Sequence, residues 1–241
     1  MKPFFVGWMG LPRGLRLFMA LVLATLAIVD VGLAAGLYVA QPPRQTGLWD
    51  PSGEQEVKGA LVTEPYPMIR VPATDKAPAA LVLLADEWKF GLPLGPDFHD
   101  GDLVRVTGYA IRRGDVTVLQ VDNKLERLGR ATPAPALQQD GERTLSGEIV
   151  DSKCWTGAMN PGEGKTHKGC GSLCLLGGIP ALFIATGADG VTRWYVLADN
   201  EGHSLGEGIR ARIGERLTLT GHVMAAPDLH EFRVAGTALA E

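Results

Sequence analysis

An apolar run near the N-terminus is the first strong pattern along the chain. Residues 17–40 read LFMALVLATLAIVDVGLAAGLYVA, with Asp30 as their one charged residue. A helix needs about 20 apolar residues to cross the hydrocarbon core of a bilayer. The pattern therefore predicts a transmembrane helix over residues 17–40.

Residues 1–16 carry Lys2, Arg13 and Arg16 and no acidic residue. Cations beside an apolar span tend to stay in the cytoplasm. We therefore expect a cytoplasmic N-terminus in a bacterial inner membrane, with the bulk of the chain periplasmic. The alternative is a cleaved signal peptide, whose apolar region is usually about 7–15 residues long and ends at a small-residue site. Tyr38 is bulky for such a site, so an uncleaved anchor is the favoured interpretation.

Asp30 is an expensive residue inside an apolar span. A charged side chain at the centre of a membrane helix costs about 2.5–3.5 kcal/mol on insertion scales. One interpretation is that Asp30 lies off-centre in a tilted helix and reaches water. The other is that it meets a polar group of a neighbouring membrane protein, which predicts a membrane-protein partner.

After residue 55 the pattern changes to short alternating runs divided by Gly and Pro, and no stretch keeps a helical period. Such runs predict β-strands. Their order also repeats. GDLVRVTGY at 101–109 resembles GERLTLTGH at 214–222, and Gly59 in VKGALV matches Gly147 in LSGEIV. The similarity predicts an internal repeat of two related β units.

The predicted fold class is all-β after the transmembrane helix. Two tandem small antiparallel barrels are expected, for which the OB-fold is the nearest named architecture. The predicted segments are a linker at 41–55, a first barrel at 56–127, a second linker at 128–142 and a second barrel at 143–241.

The second unit differs from the first by an insertion. Gly147 and Pro180 are about 25 residues further apart than their counterparts Gly59 and Pro67. The extra residues, 151–179, hold all three cysteines of the chain. In an OB-like barrel this connection borders the binding face, and function is often carried on loops above a rigid scaffold.

The insertion contains the spacing Cys154-x12-His167-x2-Cys170-x3-Cys174. Three thiolates and an imidazole would form a tetrahedral Cys3His site for zinc, and soft sulfur ligands also suit Cu(I). His167, Cys170 and Cys174 fall on one face if they share a helical turn. Asp151 is a candidate ligand or a partner that orients one.

A disulfide is the competing interpretation, since exported proteins often staple such loops. Cys154 would pair with Cys170 or Cys174, because a bond between Cys170 and Cys174 within one helical turn would be strained. That pairing leaves one thiol over. A thiol-redox function is a third and weaker alternative.

Other chemistries lack their motifs. There is no Cys-x-x-Cys-His for covalent haem, no Cys-x-x-Cys redox pair, and no complete phosphate-binding loop for a nucleotide. The formal net charge of −4 argues against nucleic-acid binding. No catalytic constellation stands out, so the sequence leans away from an enzyme.

The segment GEIVDSKCW…THKGCGSLCLLGGIPALFIA, followed by WYVLAD and GERLTLTGHV, resembles a family of exported bacterial domains of uncharacterised function. The family pattern is Gly-x-Ile/Val-x-Asp-x-x-Cys, then His-x-x-Cys-x-x-x-Cys, before an OB-like strand set. It matches residues 143–236 through six positions: Gly147, Asp151, Cys154, His167, Cys170 and Cys174. The resemblance implies a domain boundary and a grouped motif, but no reaction.

These observations favour a membrane-anchored periplasmic accessory protein whose second barrel binds zinc or copper. The alternative is a non-enzymatic structural or interaction subunit of a membrane complex, with a disulfide-stapled loop and a partner contacting Asp30.

Overall fold

Helix α1, Arg13–Ala40, forms the N-terminal unit of the chain. The computed structural model describes residues 12–40, 47–187 and 190–236. None of the helix's residues is buried, and its length and composition would allow it to cross a membrane. The predicted apolar span therefore lies within one continuous helix, which could serve as an anchor or as a signal sequence. Residues 1–11 and 41–46, which include most of the predicted cytoplasmic segment and part of the first linker, lie outside the described ranges.

The first barrel is built from five strands. They are β1 Leu48–Val62, β2 Met68–Val71, β3 Ala80–Ala85, β4 Asp102–Arg113 and β5 Val116–Arg130. The strands close in the order β1-β2-β3-β5-β4. Four of the five pairings are antiparallel, and β3 pairs with β5 in parallel.

The second barrel repeats this arrangement. Its strands are β6 Gln138–Asp151, β7 Ala181–Thr186, β8 Thr192–Ala198, β9 Arg216–Ala225 and β10 His230–Arg233. They close in the order β6-β7-β8-β10-β9, again with one parallel pair, β8 with β10. The predicted tandem barrels are confirmed. They are not wholly antiparallel, because the third and fifth strands of each barrel run in the same direction and must pair to close the ring.

Strands extend into both predicted linkers. β1 begins at Leu48, which pairs with Arg112 of β4. β6 begins at Gln138, which pairs with Ala225 of β9. Each extension contains a register irregularity near a glycine. Such bulges accommodate Pro- and Gly-containing sequence within a strand. Composition alone therefore predicts linkers where the structure has strand residues.

Gly59 and Gly147 occupy equivalent places in the two barrels. A Cβ atom on Gly59 would lie 2.4 Å from the carbonyl oxygen of Arg70 on β2. On Gly147 it would lie 2.3 Å from the carbonyl oxygen of Ile184 on β7. Each first strand therefore crosses its neighbour too closely for any side chain. The sequence match between the two glycines has a common steric cause.

Strand β3 packs on both of its faces. Val82 and Leu84 point into the first barrel's own core. Leu81, Leu83 and Ala85 belong to a second apolar cluster, which they share with the core of the second barrel and with the insertion. Successive side chains of a strand point to opposite faces. The unbroken apolar run ALVLLA thus reflects a barrel wall that is covered on the outside as well as the inside.

A buried ion pair also joins the barrels. Arg70 on β2 donates two hydrogen bonds to the carboxylate of Asp228, at 2.8 and 2.5 Å, and a third to the carbonyl of Pro135 at 2.7 Å. Asp228 lies between β9 and β10, and Pro135 lies between β5 and β6. This two-pronged geometry fixes orientation as well as distance, so the two barrels form one scaffold.

Gly147→Ala should destabilise the protein, because the new methyl group would have to displace the β7 backbone. Forcing an extra carbon into a close-packed site costs about 1–3 kcal/mol. The midpoint of denaturant unfolding of the full chain in detergent measures the loss. Gly169→Ala is the matched control, since nothing lies within 4 Å of a Cβ atom at Gly169. Equal stability of the two variants would contradict this account.

Candidate metal centre

The connection between β6 and β7 carries the cysteines. It spans residues 152–180, whereas the equivalent connection of the first barrel is only residues 63–67. It contains a short π-type turn, Cys154–Ala158, and helix α2, Lys168–Leu176. The insertion predicted at 151–179 thus corresponds to this connection, and it adds helical structure to a β scaffold.

The three sulfur atoms converge within the insertion. Those of Cys154, Cys170 and Cys174 all lie within 4.8 Å of one another. Cys170 and Cys174 stand on one face of α2, as their four-residue spacing predicts, and Cys154 approaches from the π-type turn. Cys154 and Cys174 are buried, and Cys170 is partly exposed. This group could bind a metal ion.

No disulfide joins the three cysteines, which are all free thiols. The Sγ atoms of Cys154 and Cys174 are 3.8 Å apart, far beyond the bond length of about 2.05 Å. Sulfurs that bind one zinc ion at about 2.3 Å stand at a separation of this order.

Asp151 organises the polar side of the site. One carboxylate oxygen accepts the backbone N–H of Cys154 at 2.8 Å, and the other lies 2.8 Å from Nε2 of His167. All three residues are buried. A carboxylate that holds one ring nitrogen of a histidine fixes the orientation of the ring, as it does around many protein metal ions.

The candidate ligand atoms form two overlapping groups. One contains Cys154, Cys170 and Cys174, and the other contains Asp151, Cys154 and His167. Cys154 belongs to both. His167 is therefore close to the cysteines, but it is not part of the group of three sulfurs.

Lys89 of the first barrel reaches the sulfur group. Its Nζ atom lies 2.7 Å from the sulfur of Cys170 and 3.7 Å from that of Cys174. Lys89 comes from the connection between β3 and β4, which follows the doubly packed strand β3. The site is therefore composite: the second barrel supplies the thiols and the first supplies a cation beside them.

Lys153 holds the segment that carries Lys89. Its buried side chain donates to the carbonyl oxygens of Asp86 and Trp88, at 2.7 and 3.0 Å. The N–H of Gly91 donates to the carbonyl of Gly177 at 2.9 Å, just after α2. Residues 86–91 are thus fastened at both ends to the insertion, which fixes Lys89 above the sulfurs.

Arg113 fastens the insertion to the first barrel from another direction. Its guanidinium lies 4.1 Å from the ring centroid of Trp155 and donates to that residue's backbone carbonyl at 2.9 Å. It also pairs with Glu163 at 3.2 Å, and Glu163 accepts the indole N–H of Trp155. Stacking and hydrogen bonding therefore hold the residue next to Cys154.

The two buried thiols differ in acidity. The pKa of Cys174 is lowered, first because the thiol of Cys154 donates a hydrogen bond to it and also because Lys89 is near. The same hydrogen bond and burial raise the pKa of Cys154 well above its usual range. The hydrogen bond to Cys170 raises the pKa of Lys89, which favours an ammonium group. Negative charge on the sulfurs is thus favoured at Cys174.

A groove of about 510 Å³ opens onto the sulfurs from solvent. Cys154 and Cys174 line it, together with Lys89 and Lys153. Trp49, Trp88 and Met159 are partly to largely exposed along its walls. Cys154 and Cys174 are thus buried side chains that border an open groove.

Sequence reasoning found the cysteines, His167 and Asp151 but missed Lys89 and Lys153. Lys153 stands beside Cys154 in DSKCW, so its position offered a signal. The position of Lys89 offered no signal, because a contact between two barrels produces no recognisable spacing of residues in the sequence. The histidines outside the insertion lie elsewhere: His99, His203 and His230 are exposed, and His222 pairs with Gln139.

No known protein family, curated protein or solved structure matches the chain.

Lys153→Met should loosen residues 86–91, because it removes two hydrogen bonds from a buried cation. Hydrogen bonds to charged groups contribute about 1.5–3 kcal/mol, so the amide protons of Asp86 and Gly91 should exchange about tenfold faster or more. Hydrogen exchange with mass spectrometry measures this. Lys165→Met, at an exposed position of the same insertion, is the control. Unchanged exchange in Lys153→Met would refute the role of Lys153.

Proposed function

We propose that this protein is a membrane-anchored, extracytoplasmic accessory protein that binds one soft metal ion, Zn²⁺ or Cu⁺, in its second barrel. The observation that carries the proposal is the convergence of three free thiols within 4.8 Å. Thiolates select soft metals such as Cu(I) and zinc over hard ions such as Mg²⁺ and Ca²⁺. The three cysteines are the proposed ligands.

His167 is the candidate fourth ligand of a Cys3His zinc site. It lies in the neighbouring group with Cys154, and Asp151 holds its Nε2 atom, which leaves Nδ1 as the nitrogen for a metal. A three-sulfur site without His167 would suit Cu⁺. In either case Asp151 orients the histidine and the backbone of Cys154.

A disulfide between Cys154 and Cys174 remains the competing state of the same residues. Theirs is a direct sulfur–sulfur contact, at 3.8 Å, and a modest movement would bring them to bonding distance. That state would leave Cys170 free beside Lys89. It would also remove two of the three proposed ligands, so metal binding and this disulfide exclude each other.

Metal analysis of the full chain, purified in detergent without chelator, tests the proposal. We expect one zinc or copper per chain together with three titratable thiols after the metal is removed. Cys154→Ser and Cys174→Ser should each abolish stoichiometric binding. Asp151→Asn should weaken it about 10–100-fold, the usual effect of changing a residue that orients a ligand.

His203→Ala is the control for these variants, since His203 is exposed, lies outside the insertion and pairs with Asp199. It should bind metal like the parent protein. A metal-free protein with a Cys154–Cys174 disulfide would overturn the proposal.

Anchoring by α1 is the second part of the proposal. Its support is a continuous helix in which Arg13 and Arg16 lie at the N-terminal end, ahead of the apolar stretch. The protein should stay with the membrane after an alkaline wash, and protease added outside the inner membrane should digest the barrels. Release of a shortened soluble chain would instead indicate a cleaved signal sequence. Contact of Asp30 with a partner helix stays a prediction, checked by whether Asp30→Leu loses co-purifying membrane proteins.

The OB-like identity of the barrels is proposed on their shared strand order, third strand next to fifth and fourth next to first. The internal repeat is likewise a proposal, based on the equivalent places of Gly59 and Gly147. Membership of the exported domain family stays an interpretation of the motif.

A further inference from the structure

The hydrogen bond from Lys89 to Cys170 is unusually short for one that sulfur accepts. Hydrogen bonds from N–H to oxygen cluster at about 2.9–3.0 Å, and charge assistance shortens them to about 2.7–2.9 Å. Sulfur is a larger atom than oxygen, so a hydrogen bond to sulfur should be longer. Nitrogen and sulfur here lie 2.7 Å apart. By contrast, the 3.7 Å from Lys89 to Cys174 is a normal contact with sulfur.

The short contact is held from both sides. Lys153 and the Gly91–Gly177 hydrogen bond fasten the segment of Lys89, and α2 fixes Cys170. Two single bonds through one oxygen atom bring nitrogen and sulfur to about this separation. Lys89 and Cys170 are both partly exposed, and the Lys89 side chain lines the open groove, so a small oxidant can reach the pair.

We propose that Lys89 and Cys170 are a site of covalent modification, in which an N–O–S bridge links the two barrels. The proposal goes beyond metal binding and stands without it. Cys154 and Cys174 take no part in the bridge and stay a reduced pair.

Dioxygen is the oxidant in the proposed step. The S–H bond of Cys170 and two N–H bonds of the Lys89 ammonium break, and one S–O bond and one N–O bond form. One oxygen atom of O₂ enters the bridge and the other leaves as water, with one proton released to solvent. Sulfur and nitrogen each lose two electrons, and O₂ accepts all four. A small thiol in excess reduces the bridge: four thiol molecules supply four electrons and become two disulfides, the Lys89 amine and the Cys170 thiol re-form, and the bridging oxygen leaves as water.

The bridge would act on the proposed metal site, because a Cys170 sulfur bonded to oxygen is no longer a thiolate ligand. If metal binds through all three thiols, then oxidation removes one ligand and ties it to the first barrel. This hypothesis about regulation of metal binding rests on the proposed function, whereas the bridge itself does not.

Peptide mapping by mass spectrometry tests the bridge in the full chain, purified in detergent under air without reductant or alkylating agent. We expect a cross-linked peptide containing Lys89 and Cys170. Its mass is the sum of the two peptides plus one oxygen and minus two hydrogens. Excess thiol should convert it to the two free peptides, and Lys89 should become cleavable by trypsin only after that treatment.

Three variants make the test specific. Lys89→Arg and Cys170→Ser should both lack the linked peptide, because neither retains both reacting atoms. Lys165→Arg, which changes an exposed lysine of the same insertion, should form it as the parent does. The folding of each variant is checked by its denaturant midpoint, so a missing link cannot be attributed to unfolding.

Only unlinked peptides from the aerated parent protein would overturn the bridge and leave an ammonium–thiolate pair. A disulfide of Cys170 with Cys154 or Cys174 would overturn it as well. Metal content is measured separately on reduced protein. A bridge without metal binding would sink the proposed function alone, and metal binding without a bridge would sink this inference alone.

Discussion

The packing of the insertion against the outer wall of the first barrel is the interaction on which the rest of this structure depends. Leu81, Leu83 and Ala85 turn outward from β3 and share one apolar cluster with Cys154 and Cys174. Burying apolar surface stabilises by roughly 25 cal/mol per Å², and a helical insertion of this size has no core of its own. The insertion therefore holds its shape because a neighbouring barrel supplies the surface that it covers.

This dependence explains why the site is composite. Once the insertion lies on the wall beside β3, the connection that leaves β3 passes directly over the cysteines. Lys89 lies in that connection and Lys153 fastens it. A cation beside clustered thiols offsets the repulsion that would accompany their ionisation. The first barrel thus contributes to the electrostatics of a site whose candidate ligand residues all belong to the second.

Much of the architecture was predictable from the sequence, because it follows from local pattern. Alternating apolar and polar runs predict the strands. The match between Gly59 and Gly147 reflects a steric constraint that operates within each barrel. The placement of Cys170 and Cys174 on one face followed from their spacing on a helical turn. The barrel boundaries were less predictable, since bulges allow β1 and β6 to continue through Pro- and Gly-containing segments. Contacts between barrels, such as that of Lys89 with Cys170, depend on docking, and no local pattern encodes docking.

The equivalent connections of the two barrels, residues 63–67 and 152–180, each contact the other barrel. The short connection of the first barrel carries Tyr66, which is buried in the shared cluster and whose hydroxyl oxygen accepts a hydrogen bond from the backbone N–H of Ala181 at the start of β7. Burial raises the pKa of Tyr66, so its hydroxyl stays neutral there. The long connection of the second barrel covers β3 in return. In each barrel, the connection between the first two strands therefore packs against the other barrel.

That reciprocity bears on what the insertion can do. Because the cysteine segment packs against the first barrel and is hydrogen bonded to it, the two move together. The ion pair of Arg70 with Asp228 stands outside the insertion, so the barrels have a contact that does not rely on the cysteines. Replacing either partner of such a buried pair strands a charge at a cost of about 3–5 kcal/mol. The scaffold thus has a docking contact that a chemical change at the thiols would leave in place.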